Sequence, residues 1–254
     1  MTPSRLPTFI IGGAPRSGTT YLAEALARHP DVYMARPFIP EPKVFMGPRQ
    51  PSAVYAERYR ALFAPANGHR LLGEKTSYYL ENPDLCGAIR AVAPEVKLVF
   101  IVREPVARAY SNYLWSTKNG LEKLSFEEAL EREGERANPL PEEKAYARPF
   151  DYIIRGDYAE LAQPYFDAFG RDCVRFFLFE DIALRPEALM RSLQAFIGAE
   201  PMPFQQLDVG VVNSAKDVGP PIDRGVEQRL RERLRPAVER FAMLTGLDIA
   251  AWGY

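Results

Sequence analysis

The stretch that decides the fold is residues 8–20, which read TFIIGGAPRSGTT. Its first four residues predict a buried strand that the glycines at 12 and 13 end. Residues 19–28 carry apolar side chains at helical spacing and predict a helix closed by His29-Pro30. The segment between them has the spacing G-x-x-x-x-G-T-T, that of a phosphate-binding loop with Thr19 in place of the usual lysine.

This loop has the composition of an anion site. Small residues let backbone N–H groups turn towards a phosphate at the positive end of the following helix. Arg16 can supply the charge that the lysine normally provides, and Thr19 and Thr20 can add hydroxyl donors. A glycine turn whose Ser and Thr residues only cap the helix is the alternative.

The next motif indicates which nucleotide chemistry is expected. The apolar run 98–102 predicts a strand buried on both faces, and Arg103-Glu104-Pro105 follows it. An ATPase would need an Asp at this strand end to hold magnesium and a lysine at the γ-phosphate. The sequence therefore favours a nucleotide phosphate without ATP hydrolysis, although Glu104 leaves a metal carboxylate open.

Composition excludes several classes of protein. The 254 residues carry 32 Lys and Arg against 33 Asp and Glu, a net charge of −1, which argues against nucleic-acid binding by bulk charge. Two cysteines form neither a disulfide framework nor a zinc motif. No apolar run approaches the roughly 18 residues of a membrane span, and residues 1–7 do not resemble a signal peptide. We expect a cytoplasmic protein, and the oligomeric state stays open.

The rest of the chain alternates short apolar runs with amphipathic stretches. The apolar runs predict further strands at 32–34, 71–72 and 174–179. The amphipathic stretches predict helices near 52–64, 83–92, 105–118, 125–136, 156–169, 186–197 and 225–245. This order predicts a three-layer α/β fold with a mostly parallel sheet, as a single domain over residues 1–254. Residues 138–149 are expected to form a mobile loop, and the arginines of the last helix a solvated face.

A second group of candidate ligands surrounds the start of the helix at 105–118. Arg103 stands at the carboxyl end of a strand, where α/β sheets bind their ligands. Ser111 lies about two helical turns further on, close enough to share one phosphate with Arg103. An ordinary helix start, with Arg103 on a surface carboxylate, is the alternative.

Taken together, these motifs resemble those of the sulfotransferases that use 3′-phosphoadenosine 5′-phosphosulfate (PAPS). The similarity is greatest to bacterial members related to the carbohydrate and heparan-type enzymes. Residues 15–20 resemble the family's 5′-phosphosulfate loop, and Arg103 with Ser111 resembles its 3′-phosphate motif. The segments 41–45, 73–76 and 179–181 are also similar, so the ordered resemblance spans about residues 8–200.

The resemblance implies a P-loop NTPase-like fold and metal-free, in-line transfer of the PAPS sulfuryl group to a hydroxyl of a carbohydrate or other small acceptor. It implies that Arg103 and Ser111 hold the 3′-phosphate, and that Lys216 belongs to a loop over the cofactor near 213–221, where the family's basic cluster is thin. The residues it assigns to the 5′-phosphate and sulfuryl group are Arg16, Ser17, Gly18, Thr19 and Thr20.

Glu41 is the expected general base because it matches the catalytic Glu of the heparan-type members. Pro40 and Pro42 would hold its backbone stiffly. A loop carboxylate paired with Lys43 is the alternative. Arg16 and Lys75 are the candidate catalytic cations for the leaving phosphate.

The acceptor site is less clearly marked by the sequence. Lys43 stands where several relatives carry His, and Arg155 and Tyr158 are candidates to line the pocket, although Tyr158 also suits the core. The segment 120–150 is a candidate lid. We expect structural or solvent-facing roles for the two histidines. Two other functions stay open: a P-loop kinase with an atypical lysine, and a nucleotide-binding protein without catalysis.

Overall fold

A computed structural model describes residues 5–210 and 219–254 of the chain. Two compact units are present: Met1–Val102 with Ala162–Val212 (unit 1), and Arg103–Leu161 with Asn213–Tyr254 (unit 2). That the two units belong to a single domain over residues 1–254 remains a prediction.

Unit 1 is built on a parallel sheet of five strands in the order β2-β3-β1-β4-β5. Four of the strands consist entirely or almost entirely of buried residues, as expected for a sheet covered on both faces. The strands are β1 (Phe9–Gly13), β2 (Val32–Met34), β3 (Leu71–Lys75), β4 (Lys97–Val102) and β5 (Val174–Leu178). The predicted α/β class with a parallel sheet is confirmed.

Ten helices accompany the sheet in the described part of the chain. Short 3₁₀ turns precede α3 at Pro83–Leu85 and occur at Glu142–Ala147, Ile154–Gly156 and Ala250–Trp252. The helices are α1 (Thr19–Leu26), α2 (Ser52–Leu62), α3 (Cys86–Val92), α4 (Pro105–Lys118), α5 (Phe126–Glu131), α6 (Tyr158–Phe169), α7 (Asp181–Leu184), α8 (Pro186–Ile197), α9 (Phe204–Leu207) and α10 (Arg224–Thr245).

The core of unit 1 joins the sheet to two of these helices. Apolar side chains of β1 and β4 pack with those of α1 and α8, among them Ile11, Leu22, Ile101 and Leu193. The apolar spacing of α1 therefore faces the sheet, which fixes the direction in which the preceding loop enters the helix.

Unit 2 has its own core between α4, α5 and α10. Val106, Phe126, Tyr152 and Leu230 belong to one buried cluster. The arginine-rich face of α10 forms exposed ion pairs, such as Arg229 with Glu127, which agrees with a solvated face.

Several element boundaries differ from the sequence prediction. β1 continues through Gly12 and Gly13, and β3 extends to Lys75, because both strands gain pairing partners in the sheet that local sequence does not reveal. The helix predicted over 125–136 begins with the capping box of Ser125 but ends at Glu131. A 3₁₀ turn occupies part of the predicted loop 138–149. Within the described residues, none of the helices is long and apolar enough to cross a membrane.

Candidate active site

The candidate site of unit 1 lies at the carboxyl edge of β1 and β3. The two strands are in parallel register, with Ile11 opposite Lys75. Beyond the strands, the Thr76 N–H donates to the Ile11 carbonyl at 3.0 Å and the Leu80 N–H donates to the Gly12 carbonyl at 2.8 Å. The anion loop and the segment after β3 therefore leave the sheet side by side.

Two residues of the anion loop have a left-handed backbone conformation. Gly18 has φ 88°, and an added Cβ would lie 2.7 Å from Ile182 Cδ1, so both the conformation and the space require glycine. Arg16 has φ 67°, which is uncommon for a residue with a side chain and costs on the order of 1–3 kcal/mol. Strain of this kind is concentrated at ligand-binding loops.

The loop leads directly into α1 without a polar side chain at the N-cap. Gly18 occupies that position and offers no capping group to the first N–H groups of the helix. The hydroxyl of Ser17 is buried and lies 3.4 Å from the Pro15 carbonyl oxygen. This arrangement has the chemistry of an anion cradle, with backbone donors at a positive helix end.

Glu41 and Lys75 form a buried ion pair beside this loop. Lys75 Nζ lies 2.8 Å from Glu41 Oε1, and the two side chains are 3% and 10% exposed. The same ammonium donates to Thr20 Oγ1 at 3.3 Å. Lys75 thus contacts both the expected base and the anion loop, whereas the sequence alternative had paired Glu41 with Lys43.

Ser77 fixes the orientation of the Glu41 carboxylate. Its backbone N–H donates to Glu41 Oε2 at 3.1 Å and its hydroxyl donates to Oε1 at 2.7 Å. With Lys75, the carboxylate therefore has a cation and two further donors. Sequence reasoning did not identify Ser77, although its place two residues after Lys75 at a strand end was a usable signal.

A second carboxylate, Glu74, lies next to Lys75 in β3 and is 0% exposed. It accepts hydrogen bonds from the hydroxyls of Thr76 at 2.6 Å, Tyr79 at 2.8 Å and Tyr59. Burial raises the pKa of Glu74, the three hydroxyl donors oppose that rise, and the nearby Glu41 charge adds to it.

The raised pKa of Glu74 predicts how stability depends on pH. Because the folded state binds this proton more tightly than the unfolded chain, the ionised carboxylate costs folding free energy above its folded pKa. The unfolding free energy of the wild type, minus that of Glu74→Gln, should therefore increase as pH falls from about 7.5 towards about 5. Urea unfolding of both proteins across this range measures the difference, and a difference independent of pH would contradict it.

Unit 2 carries the other predicted phosphate ligands. Arg103 directly follows β4, and its carbonyl accepts a hydrogen bond from the Tyr158 hydroxyl at 2.8 Å. Ser111 is a buried residue of α4. Near them, the Tyr110 hydroxyl donates to the Pro220 carbonyl, so α4 contacts the described end of the loop expected near 213–221. Lys216 of that loop lies outside the described residues.

Glu104 acts as the N-cap of α4. Its carboxylate accepts from the N–H groups of Val106 at 3.1 Å and Ala107 at 2.7 Å, and from the Tyr254 hydroxyl at 2.9 Å. These bonds give it a structural role and weaken the magnesium-carboxylate alternative. Within residues 5–210 and 219–254, no group of three His, Cys, Asp or Glu side chains is placed to hold a metal ion.

Two predicted acceptor residues lie inside unit 2 instead of on its surface. Arg155 is 1% exposed and donates to Asn112 Oδ1 at 2.9 Å and to two backbone carbonyls. Tyr158 is 1% exposed and packs against Phe241 and Trp252. These contacts are structural. By contrast, Lys43 is half-buried, two residues from Glu41, with φ 51°.

His29 has the structural role expected for it. Its ring nitrogens contact the Glu200 carbonyl at 2.8 Å and the Asp31 N–H at 3.1 Å. Because both ring nitrogens of His29 contact the backbone, Glu41 remains the candidate proton acceptor at the edge of β1 and β3.

Comparison with known proteins identifies the family of the chain. Residues 6–208 match the sulfotransferase domain, and the chain therefore belongs to the sulfotransferase family. It is 27% identical to mouse heparan sulfate glucosamine 3-O-sulfotransferase 3B1 over 96% of its own length. The chain spans 64% of the length of that relative.

Solved structures agree on the fold. A sulfotransferase from Alicyclobacillus acidocaldarius matches with a TM-score of 0.74 and 29% identity, over 98% of this chain and 99% of that one. A mouse sulfotransferase complexed with PAP matches with a TM-score of 0.50 and 17% identity, over 79% of this chain and 62% of that one. The P-loop NTPase-like α/β fold expected from the sequence is confirmed.

Proposed function

We propose that this protein transfers the sulfuryl group of PAPS to a hydroxyl group of a carbohydrate or another small acceptor. The observation that carries the proposal is the position of Lys75, 2.8 Å from Glu41 and 3.3 Å from Thr20 of the anion loop. One cation thereby joins a candidate base to a candidate phosphosulfate cradle, as in-line transfer requires. Family membership supports PAPS as the donor.

In the proposed reaction, Glu41 takes the proton of the acceptor hydroxyl as the acceptor oxygen bonds to sulfur. The bond between sulfur and the phosphate oxygen breaks, and the phosphate leaves with the electron pair. Two hydrogen bonds from Ser77 hold the Glu41 carboxylate in a fixed orientation. Arg16 and Lys75 stabilise the negative charge that develops on the leaving phosphate, a role in which fixed charges are most effective.

The donor is held by two sets of residues. Arg16, Ser17, Gly18, Thr19 and Thr20 are proposed for the 5′-phosphate and the sulfuryl group. The remaining residues, Arg103, Ser111 and Lys216, are proposed for the 3′-phosphate and the loop beside it. Charge stabilisation then comes from these side chains and helix α1, so we propose that the transfer needs no metal.

A carbohydrate is the favoured acceptor class. The mouse relative at 27% identity is a heparan sulfate glucosamine 3-O-sulfotransferase. Lys43, close to Glu41, is the proposed acceptor contact. We do not assign Arg155 and Tyr158 to the acceptor site, since their buried contacts within unit 2 account for them.

Nucleotide titration separates this function from the kinase alternative. We expect 3′-phosphoadenosine 5′-phosphate (PAP) to bind without magnesium and to be preferred over 5′-AMP and ATP–magnesium. Arg103→Ala should weaken the binding of PAP roughly 10- to 100-fold, the effect of losing a charge-assisted hydrogen bond. The affinity for 5′-AMP, which has no 3′-phosphate, should stay nearly unchanged. Calorimetry measures both.

Arg233→Ala, at an exposed arginine of α10, is the matched control. Preference for ATP–magnesium would support the kinase. PAP binding without sulfated product across a panel of glycans and small alcohols, assayed by mass spectrometry, would support a non-catalytic protein.

A further inference from the structure

We propose that Glu74 is a positioning residue for sulfuryl transfer: its carboxylate orients the Thr76 and Tyr79 hydroxyls, which hold the segment 43–45, and with it Glu41, beside Lys75. This inference rests on the proposed function. Among the described residues, no hydrogen bond joins Glu74 to Glu41. Glu74 and Lys75 are successive residues of β3, so their side chains point to opposite faces of the sheet. Glu74 therefore acts through its neighbours.

A buried carboxylate is costly unless it is hydrogen-bonded, and Glu74 receives three hydroxyl donors. An ionised carboxylate can only accept, so each of these hydroxyls must commit its single proton to Glu74. The pKa of Glu74 is nevertheless raised by burial. The three converging hydroxyl donors oppose this rise and favour the ionised form.

Two of the three hydroxyls also accept a hydrogen bond from a backbone N–H. Thr76 Oγ1 accepts a hydrogen bond from the Lys43 N–H at 3.0 Å, and the Tyr79 hydroxyl accepts one from the Phe45 N–H at 3.3 Å. Because their protons are used by Glu74, their lone pairs face these backbone donors. A backbone N–H always donates, so what the acceptor-only carboxylate fixes is the rotation of the two hydroxyls that turns their lone pairs towards these N–H groups.

The segment 43–45 needs this support. Lys43 has the left-handed φ of 51°, a conformation that persists in a residue with a side chain only where the surroundings enforce it. Phe45 is buried, and its ring packs against Tyr55, Tyr59 and Tyr79. Glu41 precedes Lys43 by two residues and its carboxylate must reach both Lys75 and Ser77. The network therefore holds the far side of the loop that carries the base.

Removing the acceptor tests the argument. Glu74→Met has a similar length but no oxygen for the Thr76 and Tyr79 protons, whereas in Glu74→Gln the amide oxygen could still accept from both. We expect the kcat of Glu74→Met to fall about tenfold or more while the PAP affinity stays unchanged, since the anion loop is untouched. Amide hydrogen exchange in peptides covering 43–46 should accelerate about tenfold as well.

Matched variants separate positioning from general destabilisation. Thr76→Val removes the bridging hydroxyl and should behave like Glu74→Met, whereas Thr76→Ser keeps the hydroxyl and should retain activity. Tyr59→Phe also removes a donor from Glu74, but no described backbone N–H bonds to that hydroxyl. It should destabilise the fold without a comparable change in kcat or in the exchange of 43–46.

The outcomes decide between the two proposals. Equal kcat losses in Tyr59→Phe and Thr76→Val, or unchanged exchange at 43–46 in Glu74→Met and Thr76→Val, would overturn the positioning role. If Glu74→Met does not fold, the Thr76→Val and Thr76→Ser pair gives the answer alone. Failure of the wild type to bind PAP or transfer sulfate would overturn the proposed function, and the exchange measurement would still report on the network.

Discussion

Glu41→Gln is expected to lower the kcat for sulfuryl transfer by about 10²- to 10⁴-fold, the usual contribution of a general base. The glutamine carbonyl oxygen can still accept from Ser77 and from Lys75, which now bond the carboxylate at 2.7 Å and 2.8 Å. Only the hydrogen bond from the Ser77 N–H to Oε2 is lost to the NH₂ group, so most of the local geometry should survive while proton transfer is lost. PAP affinity should change by less than about threefold, because Glu41 is not among the residues proposed for the nucleotide.

Steady-state kinetics with PAPS and a competent acceptor, together with calorimetry of PAP, measure the two quantities. Glu57→Gln, at an exposed carboxylate of α2 that pairs with Arg60, is the control and should resemble the wild type. A Glu41→Gln variant with normal kcat, or one whose defect is lost PAP affinity, would contradict the role of Glu41 as base.

Much of the fold was predictable because it follows from local patterns. The continuous apolar run of β4 predicts a strand covered on both faces, and the stripe of Val226, Leu230 and Leu234 predicts the buried face of α10. Residues whose state depends on distant partners were less accessible. Gly73 to Lys75 carry a glycine and two charges, and they form a strand because they pair with β1.

The candidate site shows the same division. The spacing of the anion loop and the position of Lys75 could be read from the sequence, since each motif lies within a few residues. The contact of Lys75 with Glu41 joins residues that are 34 positions apart, and the burial of Glu74 depends on Tyr59 from α2. The sequence predicts Arg155 as an acceptor ligand but does not reveal its burial inside unit 2, where Asn112 and backbone carbonyls accept its hydrogen bonds.

Lys75→Met is expected to have two effects with different origins. The kcat should fall about 10²- to 10³-fold because a charge next to the developing phosphate is lost. The unfolding free energy should fall by about 3–5 kcal/mol because Glu41, only 10% exposed, would lose the cation that compensates its charge. Lys118→Met, at the exposed end of α4, is the control.

The double variant Glu41→Gln/Lys75→Met separates the two effects. Removing both charges of a buried pair eliminates the uncompensated carboxylate, so the unfolding free energy should recover towards the wild-type value. The kcat should not recover, and its loss should be smaller than the product of the two single losses, as for residues that act as a unit. Recovery of activity together with stability would contradict both roles, because the double variant lacks the proposed base as well as the proposed cation. Urea unfolding and steady-state kinetics on the four proteins of this cycle make the distinction.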